Sequence, residues 1–267
     1  MAIDYDAWAK TYDTTRGASP SVLRPLLEAL GPAAGRSLLD IGGGTGNFAR
    51  PLADTGFQVS VVDHSPEMIR RAAAKLPSTP VLAVCDAQHL PLRDHTFDCA
   101  VSVNVLGHLP NWRGALREMR RILREGPLVI KASTRETVTA NWITHYFPDY
   151  IDHAPLHHYR PAKETVDALR EAGFSTIELR PIHYTDTVDG SFQALKHNPE
   201  MFFNDGLLLN TAAIMRIPEP SRGEGIGRIR ADHTSGRLRD VMAEFEPLVA
   251  TYGDGYLFTA RPNLPDN

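Results

Sequence analysis

The 267-residue chain holds only two cysteines, Cys85 and Cys99, and both sit inside short apolar runs. Such thiols read as small core residues, which excludes a disulfide framework or a paired-cysteine metal site as the organising device. Long hydrophobic stretches are missing too. Runs such as Val59 to Val62 and Leu207 to Leu209 fall far short of the roughly 20 apolar residues that a membrane-spanning helix needs. Neither sign of charge dominates: 28 Lys and Arg against 32 Asp and Glu leave −4, so no general attraction for nucleic acid is expected. The opening Met1-Ala2-Ile3-Asp4-Tyr5-Asp6 is acidic where a secretory leader is basic and then apolar. There is no internal repeat, no low-complexity tract, no H-E-x-x-H and no D/N-P-P-Y/F tetrapeptide, and no metal site is expected. These absences leave a cytoplasmic globular protein with no membrane and no nucleic-acid partner.

From about residue 36 to 131 short β-branched runs alternate with helical patterns, the mark of a parallel sheet covered on both faces. Strands are expected at 37–41, 58–62 (ending at Asp63), 81–85 (ending at Asp86), 97–103 and 128–130, with two more at 176–179 and 256–260. Ser65, Pro66 and Glu67 form a strong helix start. Helices are also expected from Trp112 to Leu123 and from Pro161 to Ala172, the latter stopped by Gly173. The reading is an α/β fold, a doubly wound, mostly parallel seven-stranded sheet with a helical lid inserted before the last strand. Its divisions are a helical cover at 1–35, a core at 36–184, a lid at 185–254 and a final strand with tail at 255–267. Helical segments are expected in the lid at 191–197 and 238–252, and segments this long between strands are usually functional.

The most informative segment is Asp40-Ile41-Gly42-Gly43-Gly44-Thr45-Gly46. Gly42, Gly44 and Gly46 allow positive φ and let a ligand lie against bare backbone. Two ligand classes compete. Gly44, Gly46 and Ala49 satisfy a dinucleotide G-x-G-x-x-A pattern, so an NAD-dependent oxidoreductase is one reading. Asp40, however, suits an amino-acid ammonium group, which NAD lacks. Asp63 can take both hydroxyls of an adenosine ribose. Asp86 can accept from the exocyclic amine of adenine while the Ala87 N–H reaches a ring nitrogen. Three carboxylates at the carboxyl ends of successive strands would face one crevice.

With these residues the chain resembles the class I S-adenosylmethionine-dependent methyltransferases, in the ubiquinone/menaquinone-type and "type 11" small-molecule branch. The resemblance is carried by the glycine turn, Val62-Asp63-His64-Ser65, Cys85-Asp86-Ala87 and Leu90-Pro91-Leu92 before Phe97-Asp98. Arg117 to Leu123 with Gly126-Pro127-Leu128, and the opening Tyr5-Asp6-Ala7-Trp8-Ala9-Lys10-Thr11-Tyr12-Asp13, carry it further. It implies S-adenosylmethionine as cofactor, with S-adenosylhomocysteine as product and a small-molecule acceptor in specialised metabolism. By the same resemblance Asp40 and the glycines hold the methionine portion, Asp63 with His64 the ribose side, and Asp86 with Ala87 the adenine. Met68 would pack on the adenine, Tyr5 and Tyr12 would fold over the cofactor, and Asn104 and Val105 would contact the methionine amino group.

A sulfonium methyl is already activated, so alignment of an attacking lone pair can supply on the order of 7–11 kcal/mol. A general base is needed only when the nucleophile carries a proton. His108, after the fourth strand, and His145 and Tyr146, in an aromatic and histidine-rich stretch, are the candidates; His153, His157, His158 and His183 lie in the same class. Arg222, Arg228, Arg230, Arg237 and Arg239 form either a solvated lid face or a clamp for a carboxylate or phosphate. A methyltransferase-fold protein with a non-methylating role remains an alternative, and the methylated atom stays open among oxygen, nitrogen, sulfur and carbon.

Overall fold

A computed structural model describes residues 6, 9, 12–13, 16–76, 78–148, 150–151, 158–186, 192–209 and 211–263. Helix α1 (Pro20–Leu30) leads into β1 (Ser37–Ile41), α2 (Ala49–Asp54), β2 (Gln58–Asp63), α3 (Pro66–Lys75), β3 (Leu82–Val84) and β4 (Cys99–Val103). Then follow α4 (Trp112–Ile122), β5 (Leu128–Ala132), the short helices α5 (Arg135–Thr139) and α6 (Ile143–Tyr146), α7 (Ala162–Glu171) and β6 (Phe174–Ile182). Among the described residues, five α-helices and a 3-10 helix at Pro199–Phe203 separate β6 from β7 (Gly255–Pro262): the α-helices are α8 (Phe192–His197), α9 (Asp205–Leu209), α10 (Ala212–Met215), α11 (Ser221–Ser235) and α12 (Leu238–Tyr252).

The seven strands lie in the order β3-β2-β1-β4-β5-β7-β6. All pairings are parallel except those of β7, which runs antiparallel to both β5 and β6. The order reverses direction between β1 and β4, and that reversal opens a crevice at the carboxyl ends of these strands. Neighbouring residues feed opposite faces, as the twofold repeat of a strand requires. Leu39, Val62, Ile130 and Phe258 pack with α4 and α7 on one face, whereas Leu38, Val61, Val129 and Leu257 pack with α1 and α2 on the other. Burial on both sides explains why β1 and β5 do not alternate apolar with polar residues, Asp40 and Lys131 being the buried exceptions.

The helix signals work as expected at α3, where the Ser65 hydroxyl accepts from the Met68 N–H at 3.1 Å. Strand lengths differ from expectation at three places. β3 is only three residues long, so Asp86 lies two residues beyond its end. β4 begins at Cys99, with Phe97 forming only an isolated bridge to Leu123. β6 is far longer than four residues because it pairs with β7 from Phe174 to Ile182.

A third apolar cluster joins regions that look independent in the sequence: Val138, Trp142, Ile143, Tyr146 and Phe147 pack with Leu195, Phe202, Ile214, Ile229 and Val241. Helix α11, not expected from its composition, belongs here. Its Gly225 faces the Phe147 ring so closely that a Cβ would collide with it. A glycine that weakens helix propensity therefore lets an aromatic ring lie on the helix backbone.

This cluster is anchored to the sheet by a buried ion pair. Lys196 of α8 donates to Asp254, which lies just before β7, and both are buried. The Asp254 carboxylate also accepts from the Tyr184 N–H at 2.8 Å and faces His197 at 3.3 Å. The Trp142 indole donates to the Lys196 carbonyl at 3.0 Å. Burial would raise the Asp254 carboxyl, but His197, Lys196 and the Tyr184 N–H outweigh it and hold it at about 2. The stabilisation is present above the unfolded carboxyl value near 4 and fades as pH falls toward 2. Asp254→Asn should cost about 3 kcal/mol at neutral pH by leaving Lys196 buried without its counterion. The double change Lys196→Met with Asp254→Leu should recover part of that loss in urea unfolding; equal stability of Asp254→Asn and wild type would discard this anchor.

Candidate active site at the carboxyl ends of the strands

The glycine turn leaves β1 under constraints that only glycine meets. Gly42, Gly44 and Gly46 have φ of 70°, 56° and 80°. The turn is tied back to the sheet by Gly42 and Gly43, whose N–H groups both donate to the Val62 carbonyl at 2.8 and 3.2 Å. A Cβ on Gly42 would collide with the Val105 side chain, and one on Gly43 would lie 2.7 Å from Asp40 Oδ2. The Asp40 carboxylate thus lies directly beneath the turn. It is buried, and its Oδ2 has no hydrogen-bond partner. Burial first, and the charge of Asp63 second, push its carboxyl up to about 7. A buried acceptor without a donor is costly, and a cationic ligand arriving at the turn would relieve that cost.

Asp63, the last residue of β2, accepts from the Gly44 N–H and the Ser65 N–H, each at 2.9 Å. These bonds, with exposed His64 beside it, counter a burial effect that still leaves the carboxyl raised. Met68 is buried on α3, and its sulfur would lie 3.9 Å from a Cβ on Gly44. Asp86 holds the Gln88 side-chain amide on both oxygens at 3.0 Å and the Gln88 N–H at 2.9 Å, with Ala87 buried beside it. The charges of Asp86 and Asp63 both add to the burial that raises the Cys85 thiol. Asp63 therefore acts electrostatically on Asp40 on one side and Cys85 on the other. The three acidic strand ends share one region.

The opening segment reaches the same region by contacts that sequence reasoning missed. Asp6, Ala9, Tyr12 and Asp13 are helical, while Tyr5 lies outside the described residues. Asp6 accepts from the Ser65 hydroxyl and, at 3.3 Å, from the Glu67 N–H, so it sits on the start of α3. Asp13 accepts from the Thr45 hydroxyl at 2.5 Å and from Lys75 at 2.7 Å. Lys75 also reaches Thr45 at 3.1 Å and Asn47 at 2.6 Å. Burial pushes the Asp13 carboxyl up, but Lys75 and Thr45 hold it below its ordinary value. The available signal was the Tyr-Asp pair repeated after seven residues, which places Asp6 and Asp13 on one helix face; nothing local marks Ser65 as the partner of Asp6 or Lys75 as that of Asp13.

Beyond β4 the chain bends at Asn104, a non-glycine residue with φ of 61° whose side-chain oxygen accepts from buried Lys131 at 2.8 Å. Val105 packs on the glycine turn, and a 3-10 turn at Leu106–His108 follows. His108 stands edge to face with His158, ring centroids 4.8 Å apart. His145 and Tyr146 are placed differently. His145 is exposed and meets the Tyr146 ring edge to face, centroids 5.0 Å apart. Tyr146 is buried in the third apolar cluster, donates to Asp232 at 2.8 Å, and has its phenol raised by burial and by that carboxylate. His153 and His157 lie outside the described residues. Three of the singled-out arginines brace the helices: Arg228 donates to the Tyr146 carbonyl at 2.5 Å, Arg230 to the Phe202 carbonyl at 2.8 Å, and Arg222 to Glu219 at 2.9 Å. Among the described residues no group of three or more His, Cys, Asp or Glu is placed to hold a metal ion.

Residues 39–130, from β1 to β5, match the family model described as a methyltransferase domain. A malonyl-[acyl-carrier protein] O-methyltransferase of Geobacter sulfurreducens is 33% identical over 188 residues, 67% of this chain and 68% of that protein. The chain belongs to the S-adenosylmethionine-dependent methyltransferases. A demethylmenaquinone methyltransferase of Renibacterium salmoninarum is 30% identical over 137 residues, spanning 49% of this chain and 57% of that methyltransferase. The fold matches a protein assigned to antibiotic biosynthesis in Anabaena variabilis with a TM-score of 0.76 and 21% identity, covering 93% of this chain and 99% of the other. Strand order 3-2-1-4-5-7-6 with an antiparallel seventh strand is the arrangement this methyltransferase chain adopts. Among the described residues no helix is long and apolar enough to cross a membrane.

The environment of Asp40 has a measurable consequence. With its native value near 7 and an unfolded value near 4, the folded chain holds more protons between these limits. Stability of the ligand-free methyltransferase should therefore fall as pH rises from about 4 to 7, by up to about 1.4 kcal/mol per unit from this group. Urea unfolding of Asp40→Asn over the same range should lack that component; superimposable pH profiles would assign the carboxyl an ordinary titration.

Proposed function

We propose that this methyltransferase moves the methyl group of S-adenosylmethionine to a small organic acceptor. The observation that carries the reading is the buried Asp40 carboxylate with an unpartnered oxygen beneath a turn that exposes its backbone. Asp40 and Gly42, Gly44 and Gly46 are assigned to the methionine end, where a carboxylate can take an ammonium group. Asp63, already fixed by the Gly44 and Ser65 N–H groups, keeps acceptor capacity for ribose hydroxyls. Met68 offers a polarisable sulfur to a ring face. Asp86 and Ala87 are assigned to adenine; Asp86 would exchange or share its Gln88 bonds to do so. Tyr12, and Tyr5 beyond the described residues, are assigned to the cover held by Asp6 and Asp13.

When bound, the cofactor supplies a methyl group on a sulfonium, already activated for attack. The protein's tasks are to orient an acceptor lone pair and to exclude water. Residues 185–254 are read as the lid that does the second, over a core of 36–184 completed by the strand and tail at 255–267, with 1–35 covering the cofactor side. His108 is the base candidate retained, because its turn follows Val105, which touches Gly42. The exposure of His145 and the Asp232 bond of Tyr146 support structural roles for these two instead. Relatives named for a malonyl group and for demethylmenaquinone support a small organic acceptor rather than a nucleic acid.

Calorimetry with S-adenosylhomocysteine tests the reading. Asp63→Ala should weaken binding by about 1–3 kcal/mol through lost charged hydrogen bonds. Because an ammonium favours the ionised carboxylate, binding near pH 6.5 should release protons from Asp40. The apparent enthalpy would then depend on the ionisation enthalpy of the buffer, and Asp40→Asn should abolish that dependence. Unchanged affinity in Asp63→Ala together with tight binding of NADH would overturn the assignment.

A further inference from the structure

The acceptor side of the crevice differs in charge from the cofactor side. Two successive carbonyls of the Leu106–His108 turn are claimed by residues from elsewhere in the chain. Arg160, buried and lying over the Trp112 ring at 4.0 Å, donates to the Leu106 carbonyl at 3.3 Å. His158 meets the Gly107 carbonyl through Nδ1 at 2.8 Å, while its Nε2 lies 2.9 Å from Arg216 Nη1. A guanidinium only donates and a carbonyl only accepts, so these two partners fix the proton of His158 on Nδ1 and leave Nε2 as the acceptor. The imidazole is neutral. A second proton would have to displace the Arg216 bond and sit beside its charge.

Arg216, which follows α10, is partly buried. No carboxylate among the described residues lies within ion-pair distance of it; its single hydrogen bond is the one to His158. The titratable groups that feel its charge, Tyr150 and Tyr159, are phenols sharing a 2.6 Å hydrogen bond and raised by burial, hence neutral. Among the other lid arginines, Arg222 has Glu219, Arg230 has Asp205, and Arg237 lies 4.0 Å from Asp232. Arg228 and Arg239 also have no carboxylate partner among the described residues, but Arg228 is spent on the Tyr146 carbonyl and Arg239 is exposed to solvent; what sets Arg216 apart is its part-buried place on a histidine. Arg216 is thus a guanidinium held in place by a neutral imidazole, with Nε and Nη2 making no bond to described residues. It is linked through His158 and Gly107 to the turn that carries His108 and packs Val105 on the glycine turn. A fixed cation with no carboxylate partner among the described residues is what recognition of an anionic oxygen group requires, and the planar fork suits two oxygens at once.

Resting on the methyl-transfer reading, we propose that Arg216, oriented by His158, is the anion-recognising end of the acceptor site, so that the acceptor carries a carboxylate or a phosphate. His158 is then a positioning residue, tying the lid to the His108 turn.

The test uses the full chain saturated with S-adenosylhomocysteine and two probes, malonate for the carboxylate class and inorganic phosphate for the other. Binding is followed by calorimetry and by the imidazole nitrogen signals of His158 and His108. Before either probe is added, His158 should show the neutral Nδ1-protonated form. At least one probe should bind and shift its signals. Affinity for that probe should fall tenfold or more in Arg216→Gln and at least threefold in Arg216→Lys, with binding of S-adenosylhomocysteine unchanged in both. The probe that binds more tightly identifies the class. No binding of either probe, or equal affinity in wild type and Arg216→Lys, would overturn the proposal. Failure of wild type to bind S-adenosylhomocysteine would instead defeat the methyl-transfer reading, and the probe titrations would still report on Arg216.

Discussion

Everything at the crevice depends on how closely the glycine turn lies on the side chains beneath and beside it. Asp40 is directly under Gly43 and Val105 is against Gly42. With no side chain permitted there, the turn presents bare backbone to the crevice, with the buried Asp40 carboxylate directly beneath it. The same closeness fixes Asp63, because Gly44 donates to it. One tight turn therefore sets the position of two acids from two strands, and the sheet register between β1 and β2 delivers them together.

The two sides of the crevice are built on opposite electrostatic logic. Asp40, Asp63 and Asp86 make one region of the crevice acidic, and backbone N–H groups supply much of the compensation at Asp63 and Asp86. Lys131, Arg160 and Arg216 bring positive charge to the tips of β4 and β5. On the proposed reading, such a division would favour a cationic nucleoside at the acidic region and an acceptor of different charge beside Arg216.

Much of this was legible in the chain because its signals are local. Ser65 with Pro66 and Glu67 announces a helix start, Gly42 to Gly46 a turn, and the apolar runs a sheet covered on both faces. The grouping of Asp40, Asp63 and Asp86 near strand ends was legible for the same reason: their position follows from where each strand stops. What escaped was long-range. Asp6 on Ser65, Asp13 on Lys75 and Arg216 on His158 join residues separated by dozens of positions, and no periodicity encodes such partners. Helix α11 escaped because it carries three glycines, of which Gly225 serves the neighbouring Phe147 ring rather than the helix. Tyr146 misled for a related reason: an aromatic beside a histidine reads the same whether it lines a pocket or fills a core.

The antiparallel seventh strand has a consequence for how this architecture diversifies. Ile182 at the end of β6 is the register partner of Gly255 at the start of β7, and the Asp254 N–H donates to the Ile182 carbonyl at 2.7 Å. Among the described residues, the helices between them return to the sheet at this hairpin-like neck, fastened by the Lys196–Asp254 pair and by the third apolar cluster. Because closing a longer loop costs only slightly more than closing a shorter one, the surface loops of that appendage can be lengthened or trimmed while these fastenings and the strand ladder stay intact. Variation can thus accumulate on one side of the neck without disturbing the register of β6 with β7 on the other.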